Sequence, residues 1–109
     1  MSGGGLFTGT LNMLVLLALS EEPLHGYAIG RWIRQTSKGG LGVAEGQLYP
    51  TLHRMAGRGW LKESWGKTET GRRAKFYELT LAGRQRLADE QDSWLQYSAA
   101  VQHVLASRN

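Results

Sequence analysis

The spacing of the apolar residues changes at Gly59, and this change constrains the fold more than any other feature of the chain. Before Gly59 the apolar residues recur at the period of an α-helix, whereas from Trp60 to Leu79 they alternate with polar residues at the period of a β-strand. A helical spacing returns after Thr80. The sequence therefore predicts helices, then a β-hairpin, then a last helix, in a mainly α-helical α+β domain.

Two helices are predicted before residue 36. The first is capped by Thr8 or Thr10 and runs to about Ser20, and its apolar residues leave almost no polar face, so it needs cover on more than one side. A single domain of 109 residues has little surface for that purpose, and we expect Leu14 to lie in a dimer interface. The second helix runs from about Gly26 to Gln35, with Tyr27, Ile29 and Ile33 available for the core.

A third helix, starting near Gly46 or Gln47 and ending near Gly57, follows a glycine-rich turn at residues 39–42. Leu48, Leu52 and Met55 fall on one face of this helix. The opposite face is expected to carry Gln47, Thr51, Arg54 and Arg58. These side-chain types hydrogen-bond to base edges and phosphates, so the segment has the pattern of a DNA recognition helix within a helix-turn-helix unit.

The hairpin is predicted as strands 60–65 and 72–79, joined by a polar loop at residues 66–71. Tyr77 and Leu79 are expected to face the core. Three cations, Arg72, Arg73 and Lys75, cluster toward the hairpin tip, with Lys67 in the loop. A basic hairpin beside a recognition helix is a wing that can hold the phosphate backbone. The predicted fold is a winged helix-turn-helix.

The distribution of charge agrees with a polyanion-binding face. Residues 31–75 hold ten lysines or arginines and three acids, a net charge of +7, whereas the rest of the chain holds three and six, or −3. A basic middle segment indicates a nucleic-acid surface, although a merely solvated basic surface would give the same count.

The last helix is predicted from Thr80, a good N-cap, to about Ser107. Its larger apolar side chains recur close to a heptad spacing. We expect this long helix to pair with its copy in a second subunit through Leu87, Trp94, Val101 and Leu105. The predicted organisation is a flexible lead at residues 1–7, a winged helix-turn-helix DNA-binding domain at 8–79 and a C-terminal dimerisation helix at 80–109.

Several classes of function find no support in the sequence. The chain has no cysteine, its histidines lack metal-ligand spacing, and no nucleophile and base, carboxylate pair or phosphate loop occurs at usable spacing. We therefore expect no enzyme activity, no cofactor and no metal. The longest apolar run, Met13 to Leu19, is too short to span a bilayer, and no signal peptide is evident. We expect a cytoplasmic protein with no membrane partner.

Aromatic and histidine residues allow two interpretations each. Tyr49 is a candidate DNA contact, although Tyr49 and Tyr77 are residue types that more often pack in a core. His25 is expected to contact the start of a helix, and His53 to contact phosphate. Trp94 is either a dimer-core residue or a platform for an effector. Trp32 and Trp65 are compatible with packing or with lining a groove.

The chain resembles the PadR family of bacterial transcriptional regulators over about residues 8 to 106. Five spaced segments carry the resemblance: Leu24–Ile29, Glu45–Met55, Gly59–Leu61, Arg72–Thr80 and Gly83-Arg84. The resemblance implies a homodimeric winged-helix protein, usually a repressor that releases its operator in response to an effector or stress signal. The single C-terminal helix is similar to that of short members, in which this helix dimerises. Some of these members bind flat aromatic drugs between tryptophans at the interface, in the region comparable to Trp94.

The predicted function is sequence-specific binding of double-stranded DNA at an inverted-repeat operator by a homodimeric repressor, with a planar apolar molecule as a candidate effector. The alternative is an architectural or non-specific nucleic-acid-binding protein without an effector. An RNA-binding protein is disfavoured because the aromatic residues are expected mainly at core-facing positions. The predicted DNA contacts are Gln47, Tyr49, Thr51, Arg54, Arg58, Lys67, Arg72, Arg73 and Lys75.

Overall fold

The fold is a winged helix-turn-helix with a long C-terminal helix. The structure, a computed structural model, describes residues 8–108; the predicted flexible lead at 1–7 lies outside them. Four helices and three strands follow one another along the chain: α1 (Thr8–Ala18), β1 (Leu24–His25), α2 (Gly26–Thr36), α3 (Glu45–Gly57), β2 (Leu61–Lys67), β3 (Arg73–Leu79) and α4 (Leu81–Ala106).

The strands form one antiparallel sheet in the order β1-β3-β2. β2 and β3 make the predicted hairpin, with Leu61 opposite Leu79 at its base and Lys67 opposite Arg73 near its tip. The turn closes through Gly71, whose φ of 84° is readily adopted by glycine and whose N–H donates to the Thr68 carbonyl oxygen at 2.9 Å. The short strand β1 was not predicted, because two residues between Pro23 and Gly26 are too few to show a period of two.

The core lies where α1, α2 and α3 meet the base of the hairpin. Leu11, Val15 and Leu16 of α1 are completely buried, as are Ile29, Leu52 and Met55. Tyr77, Leu79 and Leu48 are also buried, as predicted. Tyr27 is 60% exposed, so its predicted place in the core is wrong: α2 directs Ala28, Ile29 and Ile33 inward instead.

The end of α3 fixes where the hairpin begins. Arg58 caps the helix and Gly59 follows with a φ of 81°. The Trp60 N–H donates to the Met55 carbonyl at 3.0 Å, and the Gly59 N–H donates to the Ala56 carbonyl at 3.0 Å, which is the Schellman arrangement. The change of period at Gly59 is thus a helix C-cap that turns the chain directly into β2.

The last helix leaves the domain halfway along its length. Thr80 caps it as predicted, since the Thr80 Oγ1 accepts the Gly83 N–H at 3.0 Å. Gly83 and Leu87 are buried against the domain, but Trp94, Leu95, Val101 and Leu105 are exposed. At 1.5 Å per residue the 26 residues of α4 span about 39 Å, which gives the molecule its longest extent of 54 Å. Within residues 8–108, no helix is long and apolar enough to cross a membrane.

Candidate nucleic-acid interface

A groove of about 560 Å³ separates the wing from the N-terminal ends of α2 and α3. One wall is the hairpin, with Arg72, Arg73 and Lys75. The other wall consists of His25, Tyr27, Arg31 and Tyr49. We call this the basic groove, because four cations line it against one carboxylate, that of Glu69. Its charge and its position between a recognition helix and a wing suit a phosphate backbone.

The helix side of the basic groove depends on a close contact between α2 and α3. A Cβ at Gly26 would lie 2.5 Å from the ring of Tyr49, so only glycine leaves room for that ring where α2 begins. Tyr49 is 45% exposed and therefore packs on Gly26 while presenting the rest of its ring to the groove. The interpretation of Tyr49 as a core residue is wrong, whereas that of Tyr77 is confirmed by its burial.

His25 holds the start of α2, as predicted. Its Nδ1 accepts the Ala28 N–H at 3.4 Å, and its ring meets Phe76 edge-on at 5.3 Å between centroids. The neighbouring Tyr27 stacks on His25 and lies under the Arg31 guanidinium, 5.5 Å from the ring centroid. Tyr27 and Arg31 were not predicted as site residues, although Arg31 begins the basic segment. In the folded chain both residues lie across the groove from the wing.

Tyr77 forms the floor at the base of the hairpin. Burial, the Glu63 carboxylate and the Tyr49 phenol together raise the pKa of the Tyr77 phenol above 10.0. The phenol therefore stays neutral near pH 7 and contributes no charge to the groove.

The exposed face of α3 is rotated by about a third of a turn from the predicted one. Thr51 is only 4% exposed and its Oγ1 donates to the Gln47 carbonyl at 2.9 Å, so its predicted place on the polar face is wrong. The helical wheel puts Thr51 beside Leu48 and Met55. The exposed residues of α3 are Glu45, Gly46, Tyr49, Pro50, His53 and Gly57, and Gln47 lies half-buried at the edge of that face.

Arg54 connects α3 to α1. It is half-buried, and its Nη2 donates to the Oδ1 of Asn12 at 3.2 Å. Asn12 is itself buried, so this hydrogen bond satisfies a polar group between the two helices. The guanidinium thereby acts in holding the recognition helix on the domain.

Pro50 lies in the second turn of α3, because the helix begins at Glu45. A proline has no N–H, so the Gly46 carbonyl receives no helical hydrogen bond from residue 50. The predicted helix start was one or two residues later, which would have placed Pro50 nearer the first turn.

The remaining predicted DNA contacts lie outside the lining of the basic groove. Arg58 is exposed, and its guanidinium carbon lies 5.4 Å from the centroid of the Trp60 ring at the far end of α3. Lys67 is exposed beside the hairpin turn, opposite Arg73. Among residues 8–108, no group of three histidines or carboxylates is placed to hold a metal ion.

A second groove of about 560 Å³ lies between the start of α1 and α4. Met13, Arg86, Glu90, Trp94 and Tyr97 are among its lining residues. Trp94 is 42% exposed and its ring lies 6.2 Å from that of Tyr97. Trp94, the residue predicted to contact an effector, thus borders the open groove. Leu87 is 8% exposed within its own domain, so most of its side chain is already covered in one subunit, and its place in a dimer interface stays a prediction. Leu14 is half-buried against the core.

Known proteins are similar to this chain in sequence and in fold. The chain is 40% identical over 94 residues to a 37.1 kDa protein in transposon TN4556 of Streptomyces fradiae, an alignment that covers 86% of this chain and 26% of that protein. It is 40% identical over 62 residues to the transcriptional regulator Rv3488 of Mycobacterium tuberculosis, covering 56% of this chain and 57% of the regulator. The chain thus spans about a quarter and just over half of the lengths of these relatives.

A solved structure and a family model give the assignment. The PadR-like transcriptional regulator of Bacillus cereus superposes with a TM-score of 0.75 and 27% identity, over 89% of this chain and 92% of that one. Residues 15–89, from the middle of α1 to the first third of α4, match the model of the transcriptional regulator PadR-like family. This family contains transcriptional regulators, not enzymes. With its recognition helix, wing and the family match over most of its length, the chain belongs to the PadR-like family of transcriptional regulators.

Proposed function

We propose that the protein is a homodimeric repressor that binds an inverted-repeat operator through its basic groove and the exposed face of α3. The observation that carries the proposal is the basic groove, which faces four cations toward a single cleft beside α3. A duplex with α3 in its major groove has its phosphates where the wing projects. The protein then acts in the cytoplasm, on chromosomal DNA.

The residues of the interface divide by role. We assign Arg72, Arg73 and Lys75 to the DNA backbone, because cations on a hairpin contact phosphates without reading sequence. Gln47 and His53, at the edge and centre of the exposed face of α3, are the candidates for base contacts. Tyr49 lies between the two sets and is assigned to phosphate. Thr51 is left out because it is buried, and Arg54 because it binds Asn12.

The dimer is proposed to form through the distal half of α4. Trp94, Val101 and Leu105 are exposed on one stripe of this helix, and their spacing of seven and four residues is that of a helix pair. The same stripe buries Gly83 and Leu87 in the domain at its proximal end. A two-fold pairing sets two recognition helices about one DNA turn apart, with half-sites roughly 10 bp apart or a multiple of that distance.

Footprinting on the DNA upstream of the protein's own gene tests the proposal. We expect a protected inverted repeat, with retention of binding in the presence of excess unrelated duplex. Uniform coating of every sequence would instead support the architectural alternative. Repression is tested separately, by measuring transcription from a promoter that contains the protected site.

Arg73→Ala tests the wing contact. Because Arg73 lines the basic groove and is exposed, its loss should weaken binding to operator DNA and to non-specific DNA alike. The slope of log affinity against log salt should fall by about 0.9 for the one phosphate contact removed. Lys62→Ala is the matched control, since Lys62 is exposed on the other side of the hairpin and its replacement also removes one charge. Equal salt slopes for the two variants would contradict the assignment.

Induction is proposed to occur through the groove beside Trp94. A ligand releases DNA only if it binds one dimer geometry better than another, and the groove contacts both α1 and the helix that carries the dimer stripe. Planar apolar compounds should quench tryptophan fluorescence on titration. We expect Tyr97→Ala, which removes the ring beside Trp94 from this groove but lies outside the dimer stripe, to bind the operator as the parent does but to stay bound when such a compound is added. If no planar compound changes the operator binding of the parent protein, the effector-pocket proposal is wrong.

A further inference from the structure

Trp65 lies on the outer part of the wing with its ring largely in solvent. It is 58% exposed, although tryptophan side chains are highly buried on average. In the hairpin register Trp65 stands directly opposite Lys75, and Lys67 stands opposite Arg73. Because side chains alternate along a strand, Trp65, Arg73 and Lys75 share one side of the hairpin, the side that carries Tyr77.

Both cations lie close to the Trp65 ring. The guanidinium carbon of Arg73 is 4.1 Å from the ring centroid, and the Lys75 Nζ is 5.5 Å from it. Each distance is within the range of about 6 Å at which a cation is attracted to the face of an aromatic ring. Trp65 is therefore a shared support for two of the three wing cations that line the basic groove.

The stacked arrangement leaves the Arg73 donors usable. A guanidinium that stacks on a ring uses its flat face, whereas its five N–H groups point outward in the plane, where a phosphate oxygen can accept them. Long cationic side chains otherwise lose rotamer freedom when they bind a phosphate. Contact with a rigid ring removes part of that freedom before DNA arrives, and so lowers the entropy cost of binding.

Lys75 has a second partner, Glu63, which competes with phosphate for its ammonium. The Glu63 carboxylate oxygen lies 3.7 Å from the Lys75 Nζ. The ammonium thus lies between a carboxylate, which would neutralise it, and a ring, which holds it without cancelling its charge. Loss of the ring would leave Glu63 as the remaining partner of Lys75 on this side of the hairpin.

We propose that Trp65 is a positioning residue for DNA binding, which holds Arg73 and Lys75 in the orientation that meets the phosphate backbone. The inference rests on the proposed function, because it requires that the wing binds DNA. Trp65 itself makes no assigned contact with the nucleic acid and acts only through the two cations.

The test compares the salt dependence of operator binding for two kinds of variant. Trp65→Ala removes no charge, so it should lower affinity about fivefold while leaving the slope against log salt unchanged. Arg73→Ala should lower both the affinity and the slope against log salt. Trp65→Phe, which keeps a ring, should recover most of the affinity. An unchanged affinity for Trp65→Ala overturns the proposal.

A double-mutant cycle separates positioning from direct contact. In a background of Arg73→Ala and Lys75→Ala, Trp65→Ala should have no further effect, because the two side chains through which it acts are gone. A repeated fivefold loss in that background would mean that Trp65 contacts DNA itself, and the proposal would be wrong.

Thermal unfolding separates positioning from a role of Trp65 in folding. The midpoint of Trp65→Ala should match that of the parent, since the ring is mostly in solvent. A lower midpoint together with no rescue by Trp65→Phe would make the role structural and overturn the proposal. If the parent protein fails to bind operator DNA at all, the proposed function fails before any variant is compared.

Discussion

Gly83→Ala should destabilise the domain by about 3 kcal/mol, in the upper range for added volume in a packed core. Gly83 is buried in the first turn of α4, where a Cβ would overlap the backbone carbonyl oxygen of Trp60 and meet the side chain of Leu79. The obstacle is backbone, so no rotamer change relieves it. Either α4 or the start of β2 must move, and both carry buried residues.

Thermal unfolding followed by circular dichroism measures this effect. A loss of that size corresponds to a midpoint lowered by roughly 10 °C or more in a domain of this length. Gly57→Ala is the control, because a Cβ there has nothing within 4 Å and alanine favours a helix over glycine. The proteins are compared at one concentration, since the proposed dimerisation would make the midpoint concentration-dependent. Similar midpoints for Gly83→Ala and the parent would show that the packing at this turn is looser than described.

Replacing Val101 and Leu105 together by glutamate should convert a dimer into monomers. Both side chains are exposed, at 38% and 67%, on the part of α4 that extends beyond the domain. Burying two carboxylates from each subunit in an apolar helix pair is strongly unfavourable, whereas in a monomer each carboxylate is freely solvated. Since the domain core ends near Leu87, the fold of each subunit should be retained.

Loss of the dimer should also lower operator affinity by about 100-fold or more, because two linked recognition helices bind with an effective concentration that separate subunits lack. Sedimentation measures the assembly and gel shift measures the affinity. Gln96→Glu is the control for an added carboxylate outside the stripe: it places a single charge at an exposed position about half a turn from Leu105. A glutamate variant that stays dimeric would place the interface elsewhere, and a monomer with full operator affinity would separate binding from assembly.

Long, strongly periodic features of this fold could be predicted from the sequence, whereas positions that depend on contacts between elements could not. The recognition helix and α4 carry several turns of regular spacing, and the hairpin carries an alternation with Gly71 at its turn. By contrast, Thr51 is polar and was placed with the polar residues, yet α3 is rotated so that its hydroxyl bonds to its own helix. A hydroxyl that can satisfy itself locally is compatible with burial, and composition alone does not reveal the rotation.

The candidate site shows the same division. The cations of the wing are close in sequence and were found together as a cluster. Tyr27 and Arg31 lie about 40 residues earlier in the chain than the wing, and β1 brings them opposite it by pairing His25 with Phe76. Arg54 has the chemistry of a DNA contact but a partner, Asn12, that only the packing of α1 against α3 supplies.

The contact between Gly26 and Tyr49 links the evolution of two positions. Because the Tyr49 ring occupies the space of a Gly26 side chain, a lineage that acquires a larger residue at position 26 must also reduce or redirect residue 49. Since residue 49 borders the basic groove, such a paired change would alter the surface offered to DNA. Relatives with a side chain at position 26 are therefore expected to have smaller residues at position 49 and to differ from this protein in operator preference.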